Sequence, residues 1–398
     1  MKKKLSIIGG GPAAFTLAAF LDKQKFEVTI FEKNKALGRK FLVAGKGGFN
    51  LTHSEQIEAL IERYTPSSLL KNTLLKFNNT DLRDWLDSIG VPTYVGSSKR
   101  VYPKEGIKPI EVLKAIQAVL IKNEVHIEYN KTWTAWDNRN NLVFNNTELV
   151  ESDYNIFALG GGSWKVTGSD GNWMSIFEKK GVTTIPCQAS NCGYHIEWPS
   201  EFILKHAGAP LKNISISCFN KKQKGEVVIT QFGLEGNAIY ALSPEIRAEL
   251  EKQKKAIISI DLKPTLSFED IVSKLKKSNS RKTTEVLKNE LKLSPAQIGL
   301  LKTYISKETF LAIDMLALKI KNLELTVVNS AEVDESISTV GGLCLSAIDS
   351  NFQLNAINNN FCIGEMLDWD APTGGYLLQA CFSMGVGLAQ HLNTKYIK

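Results

Sequence analysis

A few residues near the start of the chain have the types and spacing to hold a phosphate-linked nucleotide. In a glycine turn of this kind the first glycine makes the tight bend and the second lets the backbone approach a pyrophosphate. A third, small residue then lets the following helix pack closely. Gly9, Gly11 and Ala14 fill these places, and Pro12 and Ala13 open a helix whose N-terminal N–H groups would face the phosphates. Glu32 follows 23 residues after Gly9. A carboxylate there can bond both ribose hydroxyls of an adenosine and would repel a 2′-phosphate, so NADPH is disfavoured at this turn. The positioning elements are legible on either side: an apolar run from Lys4 to Ile8, a helical run, and a second apolar run from Glu27 into Glu32. A lone glycine pattern would be a Gly-rich turn and little more. Strand, turn, helix, strand and acid in this order describe a dinucleotide-binding unit.

A plain nicotinamide dehydrogenase would continue with another βα unit. This chain instead gives Lys33, Arg39 and Lys40, then Gly45-Lys46-Gly47-Gly48-Phe49-Asn50-Leu51-Thr52. Basic residues and glycines packed so densely suit a loop laid along a long anionic cofactor. The GRK-(apolar)4-GKGGxNLT run resembles a family of bacterial flavoproteins, aminoacetone-oxidase-like, with a glutathione-reductase-like FAD domain and an inserted second domain. Two further stretches look like the same family's later FAD motifs. One is Ala158-Leu159-Gly160-Gly161-Gly162-Ser163-Trp164, the other Gly364-Glu365-Met366-Leu367-Asp368 through Gly374-Gly375-Tyr376-Leu377.

The resemblance implies an α/β fold: a discontinuous, Rossmann-type FAD-binding domain over 1–186 and 334–398, with an inserted β-barrel-like plus helical domain over 187–333. It also implies that Asp368 approaches the ribitol or pyrophosphate. Gly374-Gly375-Tyr376 would begin a helix facing the flavin pyrimidine end, where its N–H groups stabilise charge at N1 and O2. Ser98 to Pro103 is similar to the family's short (R)V(F/Y)P motif, which there lies near the flavin; as bare sequence it is equally a surface turn. Tyr376 is the nearest catalytic candidate by motif position, with packing as the plainer role. The family contains aminoacetone-oxidase-like enzymes, reductases of conjugated steroid enones and a branch that makes dihydrouridine in ribosomal RNA. Membership therefore fixes the cofactor better than the substrate.

Bulk properties agree with a globular enzyme. The 398 residues are 43% apolar and 22% charged, with a net charge of +7, which suits an anionic cofactor and permits an anionic substrate. The Lys-rich start imitates a signal peptide, but Gly9 to Pro12 interrupts the apolar stretch and no long apolar span follows, so a cytoplasmic, non-membrane protein is expected. Six cysteines show no metal-ligand spacing and should be free thiols. Cys187 and Cys192 have the spacing of a redox pair but not its place, since no cysteine lies between Glu32 and Gly181.

Along the chain, 54–77 and 80–89 read as helices, followed by a helix over 109–122 and a strand over 125–129. Short alternating runs around Trp133, Trp136, Val143 and Phe144 predict a β-meander over 131–152. Residues 155–159 form a buried strand, and 172–180 a helix. The insert divides into a β part over 187–265 and a helical part over 266–320. Its link from Gln231 to Gly236 carries two glycines where the insert could face the flavin. Lys274, Lys276, Lys277, Arg281 and Lys282 form the densest charge cluster, more readily a solvated helix face than an RNA surface, because aromatic residues are sparse there. The histidines form no recognisable pair or triad. No second dinucleotide fingerprint is visible, so the reading is an oxidase or a reductase whose NAD(P)H visits the substrate pocket. The leading expectation is an FAD-dependent oxidoreductase acting on a small molecule, an amine of the aminoacetone type. NAD(P)H-dependent reduction of C=C bonds, including uridine in ribosomal RNA, is the alternative, and a flavin-binding sensor a further one; the oligomeric state is left open.

Overall fold

In the computed structural model, which describes residues 1–44, 48–277 and 282–395, the chain divides into two compact units, Met1–Gln188 with Ile337–Lys398 and Ala189–Ser336. The first unit is built on a five-stranded parallel sheet. Its order is Asn360–Cys362, Tyr154–Phe157, Lys3–Ile8, Phe26–Glu32 and His126–Tyr129. A parallel sheet is covered on both faces, so its strands are apolar without strict alternation. Leu5, Ile7 and Ile8 are all buried, as are Tyr154, Ile156 and Phe157. This is the α/β, Rossmann-type arrangement read from the sequence.

The helix Pro12–Phe20 begins with proline in its first turn, where a missing N–H costs nothing. Ala13 to Ala18 are all buried. The closing helix Tyr376–Thr394 packs against it, and the crossing is tight: a Cβ on Gly385 would fall 2.7 Å from the Ala13 carbonyl oxygen. An antiparallel meander of Trp133–Trp136, Leu142–Phe144 and Glu148–Val150 closes over an aromatic cluster. There Trp133 meets Phe157 at 4.7 Å between ring centroids, and Trp136 meets Phe177 at 5.0 Å. A second small sheet pairs Thr52–His53 with Arg100–Pro103 and that strand with Thr93–Val95.

The stretch read as one helix over 54–77 is two, Ile57–Ile61 and Ser67–Lys76, separated by a turn that runs into Pro66. Proline has no N–H to donate back along the helix, so the chain breaks there and restarts behind it. The helix Pro109–Lys122 has the bounds expected from its apolar spacing.

The second unit is a closed antiparallel barrel. Around it run Tyr194–Ile196, Gly233–Glu235, Lys221–Ile229, Pro210–Cys218, Ala256–Asp261 and Leu323–Ser330. Alternate residues such as Ile216, Val227, Ile258 and Leu325 are buried, as period-two strands around a filled interior require. Helices Phe268–Lys277, Thr283–Asn289, Pro295–Tyr304, Lys307–Leu311 and Ile313–Lys321 lie between the last two strands in sequence. Asp261, 5% exposed in its side chain, ends its strand on Lys321 Nζ at 2.8 Å. The Gly233 link is itself a barrel strand rather than a free loop: a Cβ there would lie 1.8 Å from the Tyr194 carbonyl oxygen. Of the basic cluster, Arg281 lies outside the described residues.

Candidate active site

The first strand ends at Ile8, and the chain must turn at once to start the helix at Pro12. Gly9 makes the turn at φ +103°, where a Cβ would sit 2.4 Å from the Ala158 carbonyl oxygen of the neighbouring strand's end. Only glycine fits both the angle and the space. The Gly9 N–H donates to the Phe31 carbonyl at 2.8 Å and the Gly10 N–H to Glu32 Oε2 at 2.8 Å. A Cβ on Gly11 would meet nothing within 4 Å, so this residue borders open space. That space is a cleft of about 790 Å³. The helix beginning there has no side-chain cap and no acid in its first turn, which leaves the positive end of its dipole to whatever the cleft holds.

Glu32, 7% exposed, does more than await a ribose. Besides the Gly10 N–H it accepts the Asn34 N–H at 2.8 Å and the Asn34 side-chain amide at 2.7 Å, both on Oε1. An ionised carboxylate has about four acceptor sites, and these three bonds leave about one. The acid therefore holds the turn as well as facing the cleft. Arg39 donates to Asn34 Oδ1 at 2.6 Å, which extends the same network.

The two lysines expected along the cofactor are both paired with carboxylates. Lys33 meets Asp170 at 2.8 Å. Lys40 lies 3.0 Å from both oxygens of Glu365 and donates to Ser163 Oγ at 2.8 Å. Of the residues singled out in sequence, the cleft is lined by Gly9, Gly11, Pro12, Ala13, Glu32, Lys33, Arg39, Lys40, Leu159, Gly160, Gly364 and Glu365. Ala14 lies beneath it, fully buried in the helix. Gly161 backs onto Thr339, and Asp368 accepts the Gly341 N–H at 2.9 Å. Gly47 falls outside the described residues.

Asn50, Leu51, Thr52, Gly374, Gly375, Tyr376 and Leu377 stand apart from that lining, and several of them form a second group. Gly375, at φ +97°, would place a Cβ 2.5 Å from the Thr52 carbonyl oxygen. Thr52 Oγ1 donates to Gln379 Oε1 at 2.6 Å. The Tyr376 ring stacks on His53, 5.1 Å between centroids and 19° between planes. Its hydroxyl donates to Glu55 Oε2 at 2.9 Å, and its carbonyl accepts the Tyr64 hydroxyl at 2.9 Å. Arg63 completes the group with a two-point pair to Glu55.

The electrostatics of this group follow from burial and pairing. Burial, then the neighbouring Glu55 charge, pushes the Tyr376 phenol well above its ordinary value. Burial alone would raise Glu55, but hydrogen bonds from Arg63 and Tyr376 outweigh it and hold the carboxyl below its usual range. Burial lowers His53, against the pull of Glu55. Tyr376, the candidate catalytic residue by motif, thus has its hydroxyl committed to Glu55 and its side chain 5% exposed. Its place is to fix the start of the closing helix. Glu55, Arg63, Asn34 and Asp170 were not legible as site residues, since no local pattern marks them. His53 had one faint signal, its position directly after the NLT run.

A parallel sheet with an open, uncapped helix start at its C-terminal edge defines a nucleotide-binding protein of the doubly wound class. The match is to the HI0933-like protein Rossmann domain over residues 3–391, and the chain belongs to that family. It is an FAD-dependent oxidoreductase. It is 24% identical to a ribosomal RNA dihydrouridine synthase of Haemophilus influenzae, with 98% of each chain covered. It is 22% identical to a 3-dehydro-bile acid delta(4,6)-reductase of Clostridium scindens, with 96% of this chain and 97% of the relative covered. Among solved structures, the open form of a flavocytochrome c3 fumarate reductase matches with TM-score 0.51 and 12% identity, over 100% of this chain and 79% of that one. A 3-ketosteroid-Δ4-(5α)-dehydrogenase from Rhodococcus jostii RHA1 matches with TM-score 0.50 and 12% identity, over 98% and 96%. These two share the fold. Among the described residues no helix is long and apolar enough to cross a membrane.

The residues present fit FAD: the Gly11 face is open, the helix start is uncapped, and Glu32 keeps acceptor capacity at the cleft.

Proposed function

We propose that this protein reduces carbon–carbon double bonds conjugated to a carbonyl group, with NAD(P)H as a visiting reductant. The observation that carries the reading is that two relatives aligned over nearly the whole chain have names for one kind of reaction. Dihydrouridine arises when the double bond beside a uracil carbonyl is saturated, and a delta(4,6)-reductase saturates double bonds conjugated to a steroid ketone. The leading sequence expectation, an amine of the aminoacetone type, gives way to this alternative for that reason.

In this reading Gly9, Gly11, Pro12, Ala13 and Ala14 form the pyrophosphate cradle, and Glu32 takes a ribose hydroxyl. Bound FAD supplies a two-electron carrier. Lys40 and Glu365 present a neutral pair to the cleft, while Arg39, Lys131, Lys165 and Lys179 also line it, so basic side chains and the helix start both favour an anionic cofactor there. Gly374, Gly375 and Leu377 form the uncapped start of the closing helix, with no acid in its first turn, which favours negative charge nearby. Tyr376, tied to Glu55 and stacked on His53, keeps that start in register.

The test is anaerobic spectroscopy of the FAD-loaded protein. The yellow colour should bleach with NADH or NADPH and return when a cyclic enone or uridine-containing ribosomal RNA is added. Bleaching by aminoacetone, with peroxide on readmitting air and no response to NAD(P)H, would overturn the reading in favour of an oxidase.

A further inference from the structure

In the small sheet of the first unit, directly opposed residues share a face and alternate residues along a strand return to it. His53 is opposite Arg100, and Tyr94 is opposite Tyr102. Arg100 and Tyr102 are two apart on one strand, so His53, Arg100, Tyr102 and Tyr94 form a row on one face. Val101, on the other face, is fully buried. Tyr376 extends the row by stacking on His53, and Tyr94 continues it by lying 5.7 Å from Tyr102 at 27°.

Two features of the row point to a ligand. The Arg100 guanidinium makes no ion pair or hydrogen bond among the described residues and is partly open to solvent, which leaves it available to a ligand. The His53 ring, 8% exposed, has its Nδ1 without a hydrogen-bond partner, 3.8 Å from Glu55. An unsatisfied polar atom as buried as His53 Nδ1 costs stability and calls for an explanation. Tyr94, meanwhile, is 47% exposed. The cation stands beside the closing helix start, with Arg100 Nε 3.2 Å from where a Cβ on Gly374 would be, and Tyr102 packs against Gly48. A flat aromatic surface next to an unpaired cation and a helix N-terminus matches a planar, conjugated ring whose carbonyl oxygen gathers negative charge.

We propose that this row is the substrate wall, with the ring of a planar conjugated carbonyl compound lying on Tyr102 and Tyr94 and its carbonyl oxygen bonded to Arg100. The inference rests on the conjugate-reduction reading above. In that reaction NAD(P)H is the reductant, and bound FAD would supply the hydride that forms the new C–H bond at the β-carbon. The double-bond electrons move onto the carbonyl oxygen, and a proton from solvent then restores the carbonyl with hydrogen on the α-carbon. Arg100 would hold the oxygen while it is charged, as oxyanion donors do.

The probe is 4-hydroxybenzaldehyde, a planar phenol whose ionised oxygen mimics the charged carbonyl oxygen. Its binding to the FAD-loaded protein is measured by calorimetry, without turnover. Arg100→Gln should weaken binding by about tenfold or more, the scale of a charge-assisted hydrogen bond, while the bound-FAD spectrum is retained. Tyr94→Ala, at a position 47% exposed, should weaken it several-fold with the bound-FAD spectrum retained, and Tyr102→Phe should leave it intact. Absence of binding to the wild type overturns the inference, as does unchanged affinity in both Arg100→Gln and Tyr94→Ala. Loss of FAD from Arg100→Gln assigns Arg100 to the cofactor and overturns its substrate role. Failure of the wild type to pass electrons from NAD(P)H to any enone would instead sink the proposed function, and the two failures are told apart.

Discussion

Single residues in this protein do more than one task, and Glu32 is the clearest case. Its position after the second strand was readable from spacing, but its three bonds to Gly10 and Asn34 were not, because they depend on how the turn closes. Glu32→Ala should lose both the turn support and the ribose acceptor. Its FAD affinity should fall by about ten- to a hundredfold, read as the ratio of flavin to protein absorbance after gel filtration; full retention would refute the assignment. His53 makes a prediction in pH. Burial disfavours its charged form in the fold, so below the ordinary imidazole value the unfolded chain takes a proton that native His53 refuses. Stability should therefore drop as pH falls from that value through the lowered native one. The contribution of Glu55 is present above the ordinary carboxylate value and is lost as pH falls through its own lowered value. The thermal midpoint should decline in two stages on acidification, and His53→Gln should shrink the upper stage, to which His206 and His391, also lowered by burial, contribute as well. An upper stage of unchanged size in the variant would assign it to those two histidines alone.

At the scale of elements, local chemistry made some segments legible and hid others. Turn, helix and acid near the N-terminus follow from glycine geometry and period, which act over a few residues. The Tyr376–Glu55 bond joins residues 321 apart in sequence, and the Lys40–Glu365 pair residues 325 apart; no periodicity reports such meetings. The broken helix before Pro66 was misread because its apolar spacing continues across the break. Gly375 shows how tightly one element constrains another: its φ and its distance to Thr52 both exclude a side chain. Gly375→Val should destabilise the first unit by about 1–3 kcal/mol or more from backbone strain, with added loss from displacing Thr52. Denaturant titration followed by tryptophan fluorescence measures it, and a stability equal to wild type would mean that the helix start tolerates a shift.

For the whole molecule, the two units have separate cores, one around the parallel sheet and one within the barrel and its helices. The barrel-like character of the insert came from the family resemblance, since no local pattern in its strands states which of them pair. Pairing Tyr194–Ile196 with Leu323–Ser330 needs the intervening helices to bring the ends together. The cleft belongs to the first unit alone, so FAD at about a hundred times its Kd should stabilise that unit by about 2.7 kcal/mol. In scanning calorimetry the transition of the first unit should move up, and a separate barrel transition should stay in place. Equal movement of two resolved transitions would show that the units unfold together. The sheet's edge strand Asn360–Cys362 and the closing helix also carry a consequence for synthesis. A ribosome makes them only after the whole insert has emerged, so the nascent chain waits with the buried face of Pro12–Phe20 uncovered and the nucleotide cradle lacking one wall. A chaperone that shields apolar segments would find its client in that interval, and flavin capture would wait until the closing helix has been made.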